Sequence, residues 1–369
     1  MSRKGENIYK RKDGRWEGRY IRDRRSDGSI HYGYVYAYSY NEVKQKLIPL
    51  KKEELYVNHS RAIDSPYVLH WVQEWLDKEN KRLKLSTYST YKYKLQRYVL
   101  PILGSNRLSE LTTQSLQELI DNYQINYHLS ASTIRNIFQI LQKVLNEAIK
   151  KGYIVEDICA TVVLPKQTKR RIYALSQSEQ RKLEGACRRS SNGLPTLLAL
   201  YSGLRIGEIA ALSWEDIDFE NHLLYVNHTY QRIVTASKEQ KTTLYLGSTK
   251  TETSRRVVPL SKTIISLLRD RKLNHTGKYL FMANGQPMEP RLLNYHFKKI
   301  VSQSKIKDIH FHQLRHTFAT RCMEASGDIA SVSALLGHSS TKTTLDVYVD
   351  SVIEQRKKII CKVEEMVNF

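Results

Sequence analysis

Between Tyr67 and Lys81 the apolar residues Val68, Trp71, Val72, Trp75 and Leu76 recur at i, i+3, i+4, i+7 and i+8. Only an α-helix buries such a stripe along one side. Ser86 or Thr87 can cap a second helix that runs to about Leu100 and is stopped by Pro101. Thr112 and Thr113 open a third helix, and Ser130–Lys150 reads as a long fourth one that ends before Gly152. Four helical stretches in succession leave residues 63–163 one economical solution, an all-helical domain that turns its stripes inward.

On either side of this block the pattern changes. In Ile30–Tyr38 the period drops to two, so that Tyr32, Tyr34, Tyr36 and Tyr38 share one face. The opposite face carries His31, Gly33, Val35 and Ala37, small enough for a helix to lie against. Turn sequences at 12–15 and 26–29 bracket a second strand, Trp16–Arg22, and residues 39–55 have helical composition. Residues 1–62 are expected to form a small three-stranded sheet with one helix. Arg15, Trp16, Arg19, Tyr20 and Arg22, with the tyrosines, would make a ribbon able to enter a DNA groove. The other reading has the helix covering the tyrosines and the sheet acting as a spacer. Residues 164–171 are polar, basic and proline-led, a linker whose Lys166, Lys169 and Arg170 can follow phosphates. From Leu175 helices mix with short strands at Leu223–Asn227, Thr242–Gly247 and Arg256–Pro259, and helices resume from Leu292. The expected class is α+β, mainly α, with a mixed domain over 164–350 and a tail helix over 351–369.

Charge then narrows the partner. Lys plus Arg number 59 against 37 Asp plus Glu, a net of +22. Residues 1–25 alone hold ten cationic and four acidic side chains, and the excess continues along the whole chain. Charge spread this widely points to nucleic acid. No apolar run reaches the length of a membrane span, and the polar start lacks the apolar core of a secretory signal. A soluble, cytoplasmic, DNA-associated protein is expected. The four cysteines form no C-x-x-C pair. Phosphate-binding loops, a dinucleotide fingerprint, a nucleophile elbow and H-E-x-x-H are all absent. Glu215, Asp216, Asp218 and Glu220 read as a turn leading into a strand rather than a metal site. For His310, His312 and His316, no Cys or acid nearby completes a tetrahedral set. Neither a metal nor another cofactor is expected.

Cationic and imidazole groups remain. Arg205 follows a glycine-flanked turn in Leu204-Arg205-Ile206-Gly207-Glu208, and Lys250 is expected at the tip of a hairpin. His312 and Arg315 lie one helical turn apart. His338 follows Leu336-Gly337, and Tyr348 lies ten residues further on. Taken singly each has an ordinary structural reading: Arg205 pairing with Glu208, a solvated Lys250, Tyr348 as one of 24 tyrosines.

Together, L-R-I-G-E, T-K-T, H-Q-L-R-H-T, L-G-H-S-S and T-L-D-V-Y, in that order, resemble the tyrosine recombinase (phage integrase) family. The likeness extends to the helical block through Tyr98–Gly104 and Leu108–Thr112, similar to that family's core-binding domain. Residues 11–16 resemble the arm-binding domain of integrases from conjugative transposons. Gln313 departs from the family's usual Asp or Glu. The resemblance implies a site-specific recombinase that cuts and rejoins double-stranded DNA through a 3′-phosphotyrosine, integrating and excising a mobile element. Tyr348 would be the nucleophile, Arg205 and Arg315 the phosphate clamp, His312 the general base and Lys250 the general acid. His338 would hydrogen-bond the scissile phosphate, and Glu208 would hold a ring or an arginine in place. The covalent link conserves the energy of the broken bond, so the scheme needs neither metal nor ATP. It further implies a homo-oligomer, a tetramer on DNA, with core and arm sites and an accessory excision or bending protein. A topoisomerase of the same chemistry and a non-catalytic DNA-binding regulator are the alternatives.

Overall fold

The computed structural model describes residues 7–24, 30–50, 65–167, 173–234, 242–248, 255–274, 276–325, 328–338, 340–341, 345, 360–361 and 363–365. The chain divides into two compact units, Met1–Thr168 and Lys169–Phe369.

In the first unit, strands β1 (Ile8–Lys10), β2 (Trp16–Arg24) and β3 (Ile30–Ala37) form an antiparallel sheet in that order. Gly14, at a φ of 84°, turns the chain between β1 and β2. A helix over residues 40–50, α1, lies on the sheet. It fits because β2 offers Gly18, where a Cβ would stand 2.5 Å from both Val43 and Leu47. Ile8, Ala37, Val43 and Leu47 are the small core. The helix therefore covers the small-residue face and leaves Tyr34 and Tyr36 exposed, as the first of the two readings requires.

Trp16 and Tyr20 need a correction. Register sets Trp16 opposite Ala37 and Tyr20 opposite Gly33, so both share the helix's face. Trp16 meets Tyr40 edge to face at 5.3 Å, and the Tyr20 ring lies over Gly33. They anchor α1 rather than join the open tyrosine face.

The helical part of this unit comprises α2 (Val68–Asn80), α3 (Leu85–Lys94), α4 (Leu100–Leu103), α5 (Thr113–Ile125) and α6 (Ala131–Lys150). Thr112 and Ser130 cap α5 and α6 with their hydroxyls, as their positions in the sequence suggest. Pro101 does not stop the second helix. A π-helical turn over Leu95–Val99 carries α3 into α4, and Pro101 sits in α4's first turn, where its missing N–H costs least. Lys84, not Ser86 or Thr87, is the N-cap residue of α3. Trp71, Trp75, Leu95, Leu116, Ile134, Phe138 and Leu141 belong to the core. Each such side chain contributes roughly 1.5–3 kcal/mol by leaving water.

The second unit begins with α7 (Gln177–Arg188), α8 (Leu194–Ser202) and α9 (Ile206–Ala211). Strands β4 (Ile217–Asp218), β5 (Leu223–Val226), β6 (His228–Val234), β7 (Thr242–Ser248) and β8 (Arg256–Pro259) follow. After α10 (Lys262–Leu273) come β9 (Met282–Ala283), β10 (Gln286–Pro287), α11 (Pro290–Gln303), α12 (His312–Glu324) and α13 (Ile329–Leu336). Most of the unit is thus helical, with small antiparallel sheets. β7 pairs with β6 and β8 with β5, not with each other, which corrects the hairpin expected around Lys250. Ser248 faces His228 on β6 and Arg256 faces Val226 on β5; residues 249–254, Lys250 among them, lie outside the described residues. In the tail, residues 360, 361 and 363–365 are helical, and Ile360 and Val363 are exposed. Among the described residues no helix is long and apolar enough to cross a membrane.

Candidate active site

Three chain ends meet in the second unit. α8 closes at Gly203, whose φ of 65° is the left-handed turn of a helix C-cap. Two residues later Arg205 caps α9. Its backbone N–H donates to Glu208 Oε2 at 2.8 Å and its Nη1 to Glu208 Oε1 at 2.7 Å. α12 brings His312 in its first turn and Arg315 one turn further. α13 ends at Gly337, also left-handed, which delivers His338.

Arg315 ties these ends together. Its side chain is buried, its Nη1 donates to the Gly203 carbonyl at 2.8 Å, and its Nη2 donates to the Leu336 carbonyl. Arg205 Nη2 reaches the Gly337 carbonyl at 3.4 Å. Burial, then the like charge of Arg205, pulls the Arg315 guanidinium down to about 9, so it is still charged at neutral pH. The His312 ring has an exposed edge, yet protein surrounds the rest. That desolvation, then Arg315 and Arg205, holds it below its ordinary value. The same causes bring His338 down to about 4. Both imidazoles are therefore neutral near pH 7, one able to accept a proton and the other to donate a hydrogen bond. His316 packs edge to face on His312 at 4.8 Å and is brought down to about 4, first by burial.

The structure thus brings together Arg205, Glu208, His312, Arg315 and His338 of the sequence-derived set. Lys250 and Tyr348 lie outside the described residues, as do Lys169 and Arg170. Lys166 is exposed. On the N-terminal sheet Arg19 stacks on Tyr32 at 4.3 Å and Arg15 on Tyr36 at 5.6 Å, both toward the tyrosine face. Arg15 also pairs with Asp13 at 2.8 Å. Arg22 is exposed beside an irregularity in the β2–β3 register. Asp216 accepts from Ser213, and Asp218 accepts from the backbone of Glu220 and Asn221, the expected turn.

Sequence reasoning missed Arg256. Its side chain is 5% exposed, and it donates to both oxygens of Glu208, at 3.1 and 2.9 Å. The signal was there: Arg256 and Val258 share the inward side of β8, and a charge at an inward strand position requires a partner. Also missed was an amide-rich groove of about 230 Å3 beside α6, lined by Asn136, Gln139, Gln142, Lys143, Asn146 and Tyr91. Asn136, Gln139, Lys143 and Asn146 recur at helical spacing on α6's exposed side.

Residues 163–354 match the phage integrase family, and residues 70–123 match the N-terminal SAM-like domain of phage integrases. A XerC-like tyrosine recombinase of Caldanaerobacter subterraneus subsp. tengcongensis is 28% identical over 257 residues, 63% of this chain. The chain spans only 65% of that relative's length. Among solved structures, the Tn1549 transposon integrase in complex with a circular intermediate DNA superposes with a TM-score of 0.66 at 20% identity. That match covers 80% of this chain and all of the other. A lambda integrase tetramer bound to a Holliday junction superposes at 0.58 and 20% identity, over 91% of this chain and 96% of that one. These likenesses establish a shared fold.

Proposed function

The chain belongs to the phage integrase family, and on that premise we propose that it is a site-specific DNA recombinase that integrates and excises a mobile element. The observation that carries this reading is electrostatic. Three guanidiniums, those of Arg205, Arg256 and Arg315, gather around one carboxylate, Glu208. The surplus positive charge is a seat for an anion, and a scissile phosphate develops its transition-state charge on the non-bridging oxygens such a clamp would hold.

In the proposed step the Tyr348 oxygen attacks phosphorus and gives its proton to neutral His312. The bond to the 5′-oxygen breaks, and Lys250 protonates the leaving oxygen. A 3′-phosphotyrosine and a free 5′-hydroxyl result, and attack by a second 5′-hydroxyl reverses the step to join new partners. His338 donates to a phosphate oxygen. Residues 1–62 would hold arm sites through the tyrosine face, and residues 63–163 core sites. The α6 groove supports the latter, since Asn, Gln and Lys are the side chains that read base edges and phosphates. Residues 164–350 would carry the chemistry, and the exposed Ile360 and Val363 would dock residues 351–369 on a neighbouring protomer of a tetramer.

A suicide core-site substrate tests the reading. Wild-type protein should form an SDS-resistant adduct, and Tyr348→Phe should form none while binding DNA as before. An adduct with the phenylalanine variant would remove Tyr348 from its role.

A further inference from the structure

The carboxylate of Glu208 is 3% exposed and accepts four hydrogen bonds. Oε1 takes Arg205 Nη1 at 2.7 Å and Arg256 Nη1 at 3.1 Å. Oε2 takes the Arg205 backbone N–H at 2.8 Å and Arg256 Nη2 at 2.9 Å. The third nitrogen of the Arg256 fork, Nε, donates to the Leu335 carbonyl at 2.7 Å. The last carbonyls of α13 are thereby taken in turn by three arginines: Leu335 by Arg256, Leu336 by Arg315 and Gly337 by Arg205. Helix C-termini need such donors, and cations suit the negative end of the helix.

Arg256 differs from the other two in what it is free to do. Its fork is spent on Glu208 and Leu335, and at 5% exposure it has no route to a phosphate. We propose that Arg256 is a positioning residue for strand transfer. It takes up the charge of Glu208, leaving the Arg205 guanidinium positive toward the phosphate, and it fixes the turn that carries His338. This rests on the reading of Arg205 as part of a phosphate clamp.

The argument is one of competition. A buried carboxylate must be compensated. With Arg256 present, three positive groups face one negative group and a charge of +2 is left for substrate. Without it, Glu208 has Arg205 alone; the guanidinium is drawn into that pair, and the surplus falls to +1. The Leu335 carbonyl also loses its donor, which frees the last turn of α13 just ahead of His338. Both effects weaken stabilisation of charge that appears only in the transition state. A lysine would keep the charge but lose the fork.

The test uses full-length protein, single-turnover cleavage of a suicide core-site duplex, and a matched duplex with a neutral methylphosphonate at the scissile position. Arg256→Met should cleave the phosphate substrate about 10²-fold more slowly with core-site affinity little changed, as for loss of one transition-state donor. On the methylphosphonate, where less charge develops, the gap from wild type should shrink to a few-fold, about 5 or less. Arg256→Lys should fall between. Should Arg256→Met not fold, Arg256→Lys and the double variant Arg256→Met/Glu208→Gln carry the test, the latter removing both buried charges together. Its rate should lie within about 3-fold of Glu208→Gln alone, because the two residues act as a unit. Wild-type rates for Arg256→Lys and Arg256→Met overturn the inference. A gap of equal size on both substrates also overturns it, since general damage to the fold would act on both alike. If wild-type protein forms no adduct through Tyr348, the recombinase reading itself fails; adduct formation with indifferent Arg256 variants fails only the inference.

Discussion

Gly203→Ala would strike the junction of α8, α12 and α13 with one methyl group. The φ of 65° costs alanine roughly 1 kcal/mol that glycine does not pay. The new Cβ would also stand 2.5 Å from Phe318 Cδ1 and 2.9 Å from Leu336 Cδ2. Relieving such overlap in a packed core costs about 1–3 kcal/mol more. The total, about 2–4 kcal/mol, should lower the unfolding temperature of a unit this size by roughly 5–15 °C. Function should suffer as well. The Gly203 carbonyl receives Arg315, and Leu336 carries the other carbonyl that Arg315 holds, so displacing either one moves the buried guanidinium. Gly285→Ala is the control. Its φ is 74° but nothing lies within 4 Å of an added Cβ, so only the backbone cost of about 1 kcal/mol applies. Thermal unfolding and single-turnover cleavage of both variants decide the matter. If Gly203→Ala is no less stable than Gly285→Ala and cleaves at the wild-type rate, the packing argument for this junction is refuted.

Thr317→Val should cost about 1–3 kcal/mol in urea unfolding, because the buried Thr317 hydroxyl accepts from the Leu175 N–H and the valine leaves that donor unpaired. His316 and His338 sit at about 4 when folded and near 6.5 when unfolded, so the unfolded chain takes up protons first as pH falls. Their contribution is present above about pH 6.5 and is lost from there down to about 4; urea midpoints should fall across that window, and less steeply in His316→Phe. Cleavage by neutral His312 should hold its rate down through the ordinary histidine range, about pH 6.5, and fail only below it; a rate already halved at pH 7 would contradict the lowered value. Deleting residues 1–62 should abolish gel-shift binding to arm-site DNA while core-site cleavage persists, and loss of all cleavage would contradict the division of labour.

Local spacing made much of this legible. Thr112 and Ser130 announce helix starts, and Arg205 with Glu208, or His312 with Arg315, are pairs whose geometry a single turn of chain dictates. What stayed hidden depends on longer-range pairing. Alternation sorts Tyr32, Tyr34 and Tyr36 onto one face of β3, but only the register with β2 shows that Trp16 and Tyr20 belong to the other. Pro101 looks like a stop until a π turn upstream makes room for it. Gln313 departs from a family pattern that favours an acid, and the structure supplies a reason. Its Oε1 accepts from the His310 N–H at 2.7 Å while its Nε2 donates to the Tyr173 carbonyl at 3.3 Å, and an ionised carboxylate has no such donor. The carbonyls of Leu335, Leu336 and Gly337 carry no side-chain signature at all.

Those carbonyls resolve an apparent contradiction in the site. A phosphate clamp made of bare, buried guanidiniums would be unstable before substrate arrives, yet guanidiniums fully paired with carboxylates would have no charge left to offer. Here most of the fixing is done by neutral acceptors. The carbonyls of Gly203, Leu336 and Gly337 satisfy N–H groups of Arg315 and Arg205 and hold their planes in place, but they cancel no charge. Among the described residues, the one carboxylate hydrogen-bonded to the proposed clamp, Glu208, is shared with Arg256, whose side chain is buried. Orientation and charge are thereby assigned to different groups. That separation is the condition for electrostatic preorganisation: the donors are already aimed, a net positive charge is kept, and little rearrangement is required when an anion enters.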